Sequence, residues 1–419
     1  MYIKELTSEE FNSFTDNFTA QSIYQTSEYG FIMNNEEYES MFIGMIDEDE
    51  KIVAASLILI EKINMFKYAY APKGFLIDYN DQYLLNEFTT LIKAYFSKKK
   101  IMAIKINPII IKSSYDYKTN TITVNPNFEM QFNNLKQLGY FHLGFNNLFE
   151  SFKPRFDALI DFSKPTDVLF NDLDKGLKNK IKNADLDGVR IIKITDDNID
   201  YLYEHVKNKY PRDKKYFQNV LKYFKNRDLI EYYIAKLDTN AYLINTQKKY
   251  QKQNDICIEL NNELFSNLGK NNDKLISKKI KEENKLNELK NELVYATKLL
   301  KEEPDGIVLA SMLITKYKDE AYLFMDGYNK DFKKLNAKHL LAWKLIEKCA
   351  SEGFKVFNLG GMTNPNINND KYAGLNEFKM NFNARCIEYI GDLELITNPT
   401  LYSLYRNSKP LRVILTKKK

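Results

Sequence analysis

The residue types able to do chemistry are best approached through the patterns they fail to make. The three histidines, His142, His205 and His339, stand in no nucleophile context and no GxSxG step occurs, so a hydrolase triad is not expected. A Walker loop and a GxGxxG turn are also missing, which argues against nucleoside triphosphate or dinucleotide chemistry. Cys257, Cys349 and Cys386 are odd in number, far apart and without a CxxC pair, so neither a disulfide framework nor a metal site is predicted. One segment is different. In Asn358-Leu-Gly-Gly-Met-Thr-Asn364 a strand ends in two glycines, Gly360 and Gly361. Bare backbone there can approach the contents of a cleft, or simply make a strand-to-loop turn. Downstream lie Gly374-Leu-Asn-Glu-Phe378-Lys379 and then Cys386 to Asp392, read as a strand closing on a turn.

Elements that could position these residues follow from composition and pattern. The chain has 419 residues, enough for two or three units of about 100–200 residues. Hydrophobic residues make up 44% and aromatics 14%, which excludes a disordered or fibrous chain. With 61 basic and 56 acidic residues the net charge is +5, so coating nucleic acid by bulk charge is excluded and any RNA contact must be local. The run from Val53 to Ile60 is less than half of the roughly 20 residues that span a bilayer, and MYIKELTSEEF has no apolar signal core; a cytoplasmic protein is expected.

Residues 1 to 240 alternate β-rich runs, such as Lys51 to Glu61 and Ile101 to Ile111, with helical stretches like Tyr83 to Lys98. A strand should stop at Ile106-Asn107-Pro108, since proline cannot donate to a ladder. The alternation resumes near Pro154, with a lysine-rich helix over Asn171 to Ala184, and hints at two similar halves. Residues 241 to 303 break the rhythm. Leu286, Leu289, Leu293, Ala296 and Leu300 repeat at three and four, as do Leu243, Thr246, Tyr250, Gln253, Cys257, Leu260 and Leu264. That predicts two antiparallel helices turning at Asn267 to Asn272, an inserted coiled-coil arm whose charges form a solvated face or a contact for nucleic acid or a partner. The α/β pattern returns after Pro304.

The double glycine, the Phe378-Lys379 pair and the closing Ile390-Gly391-Asp392 resemble the C-terminal signature of the Fem-type (FemABX) peptidyltransferases, the members with a helical arm. Further similarities run along the chain: Gln25 in a YQT step, Lys73-Gly74 with Ile77-Asp78-Tyr79, Pro154-Arg155, and Pro211-Arg212-Asp213 followed by Tyr216-Phe217. The resemblance implies an α/β (α+β) fold of two N-acetyltransferase-like (GNAT-like) subdomains. They would occupy residues 1–145 and residues 146–240 with 304–395, the arm 241–303, and a C-terminal helix and basic tail 396–419. It further implies an aminoacyltransferase that moves glycine, serine or alanine from aminoacyl-tRNA to an amine of a lipid-linked or UDP-linked peptidoglycan precursor. No cofactor is implied beyond that donor.

An aminoacyl ester is already activated, so an amine can attack it without a protein nucleophile and the protein supplies alignment and charge stabilisation. Under the resemblance Lys379 would be the catalytic cation, Gly360, Gly361 and Phe378 would line the substrate, and Arg212 with Tyr216 would hold the precursor's diphosphate. Lys180, between Lys178 and Lys182, would lean on tRNA or precursor phosphate, or belong to a merely solvated helix. The tail from Arg406 to Lys419, basic and without an acid, is either a frayed end or a weak attachment to the anionic inner membrane face. The arm leaves open a homodimer or a heteromer with related transferases. Near Phe324-Met325-Asp326-Gly327 the tyrosine of the family's tyrosine-glycine pairing is missing, and two further positions depart from the family: Met33 stands where a phosphate-binding cation is usual, and Asn107 where a carboxylate is usual. These departures motivate an alternative, a weakened member acting as binding or scaffold partner of an active transferase. A third reading, acylation from acyl-coenzyme A, lacks its Q/RxxGxG/A loop.

Overall fold

Short runs of β-branched and aromatic residues, set between amphipathic helices, build two mixed sheets of seven and nine strands. The computed structural model describes residues 1–419 except 21, 37, 211, 267–271, 368–369 and 408–419.

Each sheet is founded on the same succession. In the first half Tyr2–Glu5, Tyr38–Ile46, Ile52–Ile63 and Phe66–Ala71 pair antiparallel in chain order, and the helix Gln82–Lys98 then crosses over to the parallel strand Ile101–Ile106. In the second half Val189–Ile194, Ile230–Leu237, Ile307–Tyr317 and Glu320–Tyr328 repeat that order, and the helix Ala337–Ser351 crosses to the parallel strand Val356–Met362. A parallel neighbour demands such a crossover, because a tight turn cannot return the chain to the starting edge. Leu85, Phe88, Ile92 and Phe96 lie at helical spacing on the Gln82–Lys98 face that covers the first sheet, and all four are fully buried.

Two exchanges tie the sheets together. Ile111–Asp116 and Thr121–Val124, which follow the first half in sequence, complete the second sheet, while Leu393–Ile396 returns from the C-terminal region to lie between Ile101–Ile106 and Tyr140–His142 in the first. One aromatic core spans both halves, with Tyr24, Tyr29, Tyr68 and Tyr70 from one side and Phe217, Tyr232, Leu313 and Met325 from the other.

The long helices Thr239–Ser266 and Asp273–Glu302 are inserted between the second and third strands of the second half, where the first half has only a short turn. Tyr242 Oη donates to Glu292 Oε1 at 3.0 Å and Gln253 Nε2 to Glu282 Oε2 at 2.9 Å, a descending register that makes the helices antiparallel. At 1.5 Å per residue the first is about 40 Å long. Thr246, Cys257, Leu260 and Ala296 are buried between them, and none of the other seam positions expected from the sequence is exposed. Except for Asn272, the turn expected at 267–272 lies outside the described residues. Among the described residues no helix is long and apolar enough to cross a membrane.

Candidate functional site

The double glycine sits inside the strand Val356–Met362 rather than at its end, at a register shift against Phe156–Asp161. The reason for glycine at 361 is steric: a Cβ there would lie 2.1 Å from Pro154 Cγ. Over this bulge lies the helix Asp370–Met380, which carries Phe378 and Lys379 on neighbouring faces. Phe378 turns inward against His339 and Phe382. Lys379, 5% exposed, donates from Nζ to the Gly361 carbonyl oxygen at 2.6 Å. A Cβ on Gly360 would come within 3.7 Å of that same Nζ. Burial pushes the Lys379 amine down to about 7, against the opposing pull of Asp326 and Asp157. Asp326 itself is held well below the usual carboxylate range, chiefly by Lys338 at 2.5 Å and Lys209 at 3.2 Å, which outweigh its burial. An ammonium whose affinity for its proton is tuned to neutrality, with hydrogens beyond the one given to Gly361, can stabilise negative charge developing on an oxygen.

Beside it, on the strand paired with the glycines, Phe156, Ala158 and Ile160 enter the core, and strand alternation therefore puts Asp157 on the opposite face. Asp157 is 3% exposed and ion-pairs with Lys73 at 3.4 Å; the Lys73 ammonium also lies 4.0 Å from the centre of the Tyr389 ring. Lys73 is delivered by a turn closed by Gly74, where a Cβ would lie 2.7 Å from Ser56 Oγ and 2.8 Å from Gln25 Nε2. Gln25 holds that turn by donating to the Pro72 carbonyl at 2.7 Å and accepting from the Leu57 amide at 2.8 Å. The Tyr79 hydroxyl closes the same loop on the Phe75 backbone. Glu320 lies near both charges, and burial together with Asp157 pushes its carboxyl up to about 8, so near neutral pH it holds a proton that it can give and retake.

Across the seam between halves stands a second group. Arg212 precedes the helix Lys214–Lys225, whose start is capped by Asp213 accepting from the Tyr216 amide at 2.9 Å. Its guanidinium lies 5.2 Å from the Tyr216 ring and 2.7 Å from Glu36 Oε2. Tyr216 is buried, and its hydroxyl is pushed up to about 12 by burial. Between the two groups lies Lys153, whose Nζ is 3.2 Å from the Tyr24 ring centre and 3.2 Å from Tyr29 Oη. Tyr24 in turn meets Tyr322 of the second half, hydroxyl to hydroxyl, at 3.1 Å. Burial, Lys73 and Arg212 depress the Lys153 amine, with Asp157 opposing, so both groups act on one lysine. A narrow crevice of about 10 Å³ opens here, lined by Lys73, Asn107, Ser151, Lys153 and Arg155 among others.

The profile of the FemAB family matches residues 6–409. The chain belongs to the FemAB family. It is 23% identical over 422 residues to aminoacyltransferase FemA of Staphylococcus aureus strain N315, covering 98% of this chain and 99% of that protein, and equally similar to FemA of strain MW2. The crystal structure of FemX superposes with a TM-score of 0.72 at 19% identity, over 96% of this chain and 99% of that one, and shares the fold.

Several of the segments that carried the family resemblance gather in one place, while Arg212 and Tyr216 stand in the second group. Pro154 presses on Gly361, Arg155 pairs with Glu388 at 2.5 Å, Lys73 pairs with Asp157, and Lys379 caps the glycines. Lys180 lies apart from them. It sits on Lys175–Leu186 near His339, whose imidazole is pushed down to about 4 by burial and by Lys180, Lys338 and Lys333. Lys178 caps the Asn171 carbonyl and Lys182 covers Phe170. Met33 is 1% exposed in the aromatic core, so this side chain fills the interior rather than leaving a gap in a phosphate site. Asn107 does not leave the region without a carboxylate: its Oδ1 accepts from the Lys73 amide at 2.8 Å, and Asp157 supplies the negative charge from another strand. Pro211 lies outside the described residues. Lys153, Asp157 and Glu320 were not singled out from sequence. A charge set between Phe156 and Ala158 in an otherwise apolar strand run was the one signal that could have found Asp157.

Proposed function

We propose that this FemAB member is an aminoacyltransferase that moves glycine, serine or alanine from aminoacyl-tRNA to the amine of a peptidoglycan stem peptide or growing bridge. The observation that supports it is the buried Lys379 seated on the Gly360–Gly361 bulge, its ammonium donating to the Gly361 carbonyl. The amine nitrogen attacks the ester carbonyl, the carbon–oxygen bond to the tRNA ribose breaks, and the proton lost by the amine ends on the leaving ribose oxygen. Lys379 stabilises the oxyanion between these events, and Glu320 is suited to carry the proton. Arg212 and Tyr216 hold the precursor's diphosphate; this requires Arg212 to exchange Glu36 for phosphate. The acceptor, lipid-linked or UDP-linked, is met at the cytoplasmic membrane face.

The test is transfer of labelled glycine, serine or alanine, in separate reactions with tRNA and the matching synthetase, to lipid-linked and UDP-linked precursors with a lysine stem. Label in the precursor supports the proposal and identifies donor and position. Folded protein that labels no precursor refutes it in favour of a partner of an active transferase.

A further inference from the structure

The charges around the crevice do not balance. Lys73 pairs with Asp157 at 3.4 Å, Arg155 with Glu388 at 2.5 Å, a carboxylate it shares with Lys112 at 3.0 Å, and Lys105 with Asp392 at 3.2 Å, but Lys153 has no carboxylate within ion-pair distance among the described residues. It is 9% exposed; among the described residues its contacts are the Tyr24, Tyr29 and Phe152 rings and the Tyr29 hydroxyl, and Asp157 acts on it only from beyond ion-pair distance. Aromatic faces hold an ammonium in place, yet they do not replace the counter-charge that burial calls for.

Two further donors line the same crevice without an acceptor among the described residues. The Ser151 hydroxyl, buried, accepts from Asn146 Nδ2 at 2.5 Å, which leaves its own hydrogen to give. Asn107 is oriented by the Lys73 amide and the Tyr70 hydroxyl, both donating to its Oδ1 at 2.8 and 3.0 Å, so its NH2 group is turned away with both hydrogens to give. An ammonium, a hydroxyl and an amide, together with the ion-paired Lys73, Arg155 and Asp392, thus surround a space of about 10 Å³, room for roughly one water-sized group.

We infer that this crevice is a subsite for a free carboxylate on the acceptor, with Lys153 as its counter-charge and Ser151 and Asn107 as its hydrogen-bond donors. The inference rests on the acceptor proposed above being a peptide. Of the cations lining the crevice, Lys153 is the one without a carboxylate within ion-pair distance among the described residues, and the small space admits one carboxylate oxygen of a larger molecule whose body stays outside. It also gives the amide at 107 a reason: a carboxylate there could accept from Lys73 but could donate nothing to an anion.

The test is calorimetric binding of a lysine-containing stem peptide with a free C-terminal carboxylate, against the same peptide as its carboxamide, with inorganic phosphate as competitor. Wild-type protein is expected to bind the carboxylate at least ten-fold more tightly. Lys153→Met, close to lysine in shape, is expected to bind both peptides within two-fold while its thermal midpoint does not fall; Ser151→Ala keeps the test available if that variant fails to fold, and is expected to lose part of the preference. Equal or absent binding of the two peptides by wild type, a preference retained in Lys153→Met, or displacement of the peptide by phosphate at equal strength each overturns the inference. Because binding is read without tRNA, failure here leaves the transfer reaction standing, and failure of transfer leaves this preference measurable.

Discussion

Replacing Lys379 by methionine separates what the lysine does for chemistry from what its burial does to the fold. The side chain is 5% exposed and its amine is pushed from 10.5 to about 7, because water is lost faster than Asp326 and Asp157 replace it. In the unfolded chain a lysine holds its proton up to about 10.4. Between pH 7 and 10.4 the unfolded state therefore binds a proton that the native state has released, and stability must rise with pH across that window. Below pH 7 both states are protonated and the penalty for the buried charge is complete. At 1.36 kcal/mol per unit, and allowing for the partial titration at each end, Lys379 alone should add about 2.5 kcal/mol to stability between pH 7.5 and 9.5.

Methionine has a similar length and no proton to lose. Urea unfolding of both proteins at several pH values should show the wild-type free energy climbing by about 2.5 kcal/mol more than that of the variant over that range. Groups shared by the two proteins, Lys153 included, cancel in the difference. At pH 7.5, where the variant is folded, transfer should fall about 10²–10³-fold, the loss typical of one oxyanion donor. Parallel stability curves would refute the burial argument, and transfer within two-fold of wild type would remove Lys379 from the chemistry.

Asp157→Asn should leave the Lys73 ammonium buried beside Lys153 without its counter-charge, at a cost of about 3–5 kcal/mol in urea unfolding. Adding Lys73→Met to that variant should restore part of the loss, and an unchanged midpoint in the single variant would contradict the pairing. Glu320, raised to about 8 by burial, keeps a proton between pH 4.5 and 8 that the unfolded chain has released. Stability should thus decline as pH rises through that window, and Glu320→Gln should decline less steeply in the same measurement. Gly361→Ala places a Cβ 2.1 Å from Pro154 Cγ and should lower stability by about 1–3 kcal/mol, read as a drop in thermal midpoint; no drop would mean that the two strands part freely.

Much of the fold was legible because it is local. The strand ending at Ile106 before Pro108, the helix read from Tyr83 and seen as Gln82–Lys98, and the seam of the long helices are each written in spacing over ten or so residues. The exchange of strands between sheets was not legible. Nothing in Leu393-Glu-Leu-Ile396 distinguishes a strand that extends its own sheet from one that returns to the other, since pattern specifies which face is buried and not which edge is met. The candidate site divides the same way. Lys379 and the glycines were reached through a motif, but the motif said nothing of a helix, a buried amine or a bond to Gly361. Lys153, Asp157 and Glu320 belong to separate segments and acquire meaning only when three strands and a loop bring them together.

That exchange bears on how the site works. Asp157 belongs to a strand of the second sheet, Lys73 to a turn of the first, and Lys105, paired with Asp392, to the strand against which the returning Leu393–Ile396 lies. Arg155 reaches Glu388 on Arg385–Tyr389, which is hydrogen-bonded on its other side to Ile111–Asp116 from the first half. The Arg155–Glu388 and Lys105–Asp392 pairs therefore join segments that strand ladders already hold side by side, while Lys73–Asp157 bridges the two sheets directly. Opening the two halves like a hinge would break ladders as well as ion pairs, and buried pairs lose several kcal/mol when only one partner keeps its place. Substrates must then enter along the seam by movement of side chains, not by separation of the halves. A rigid frame of this kind suits a reaction in which the donor is already activated and the protein contributes alignment.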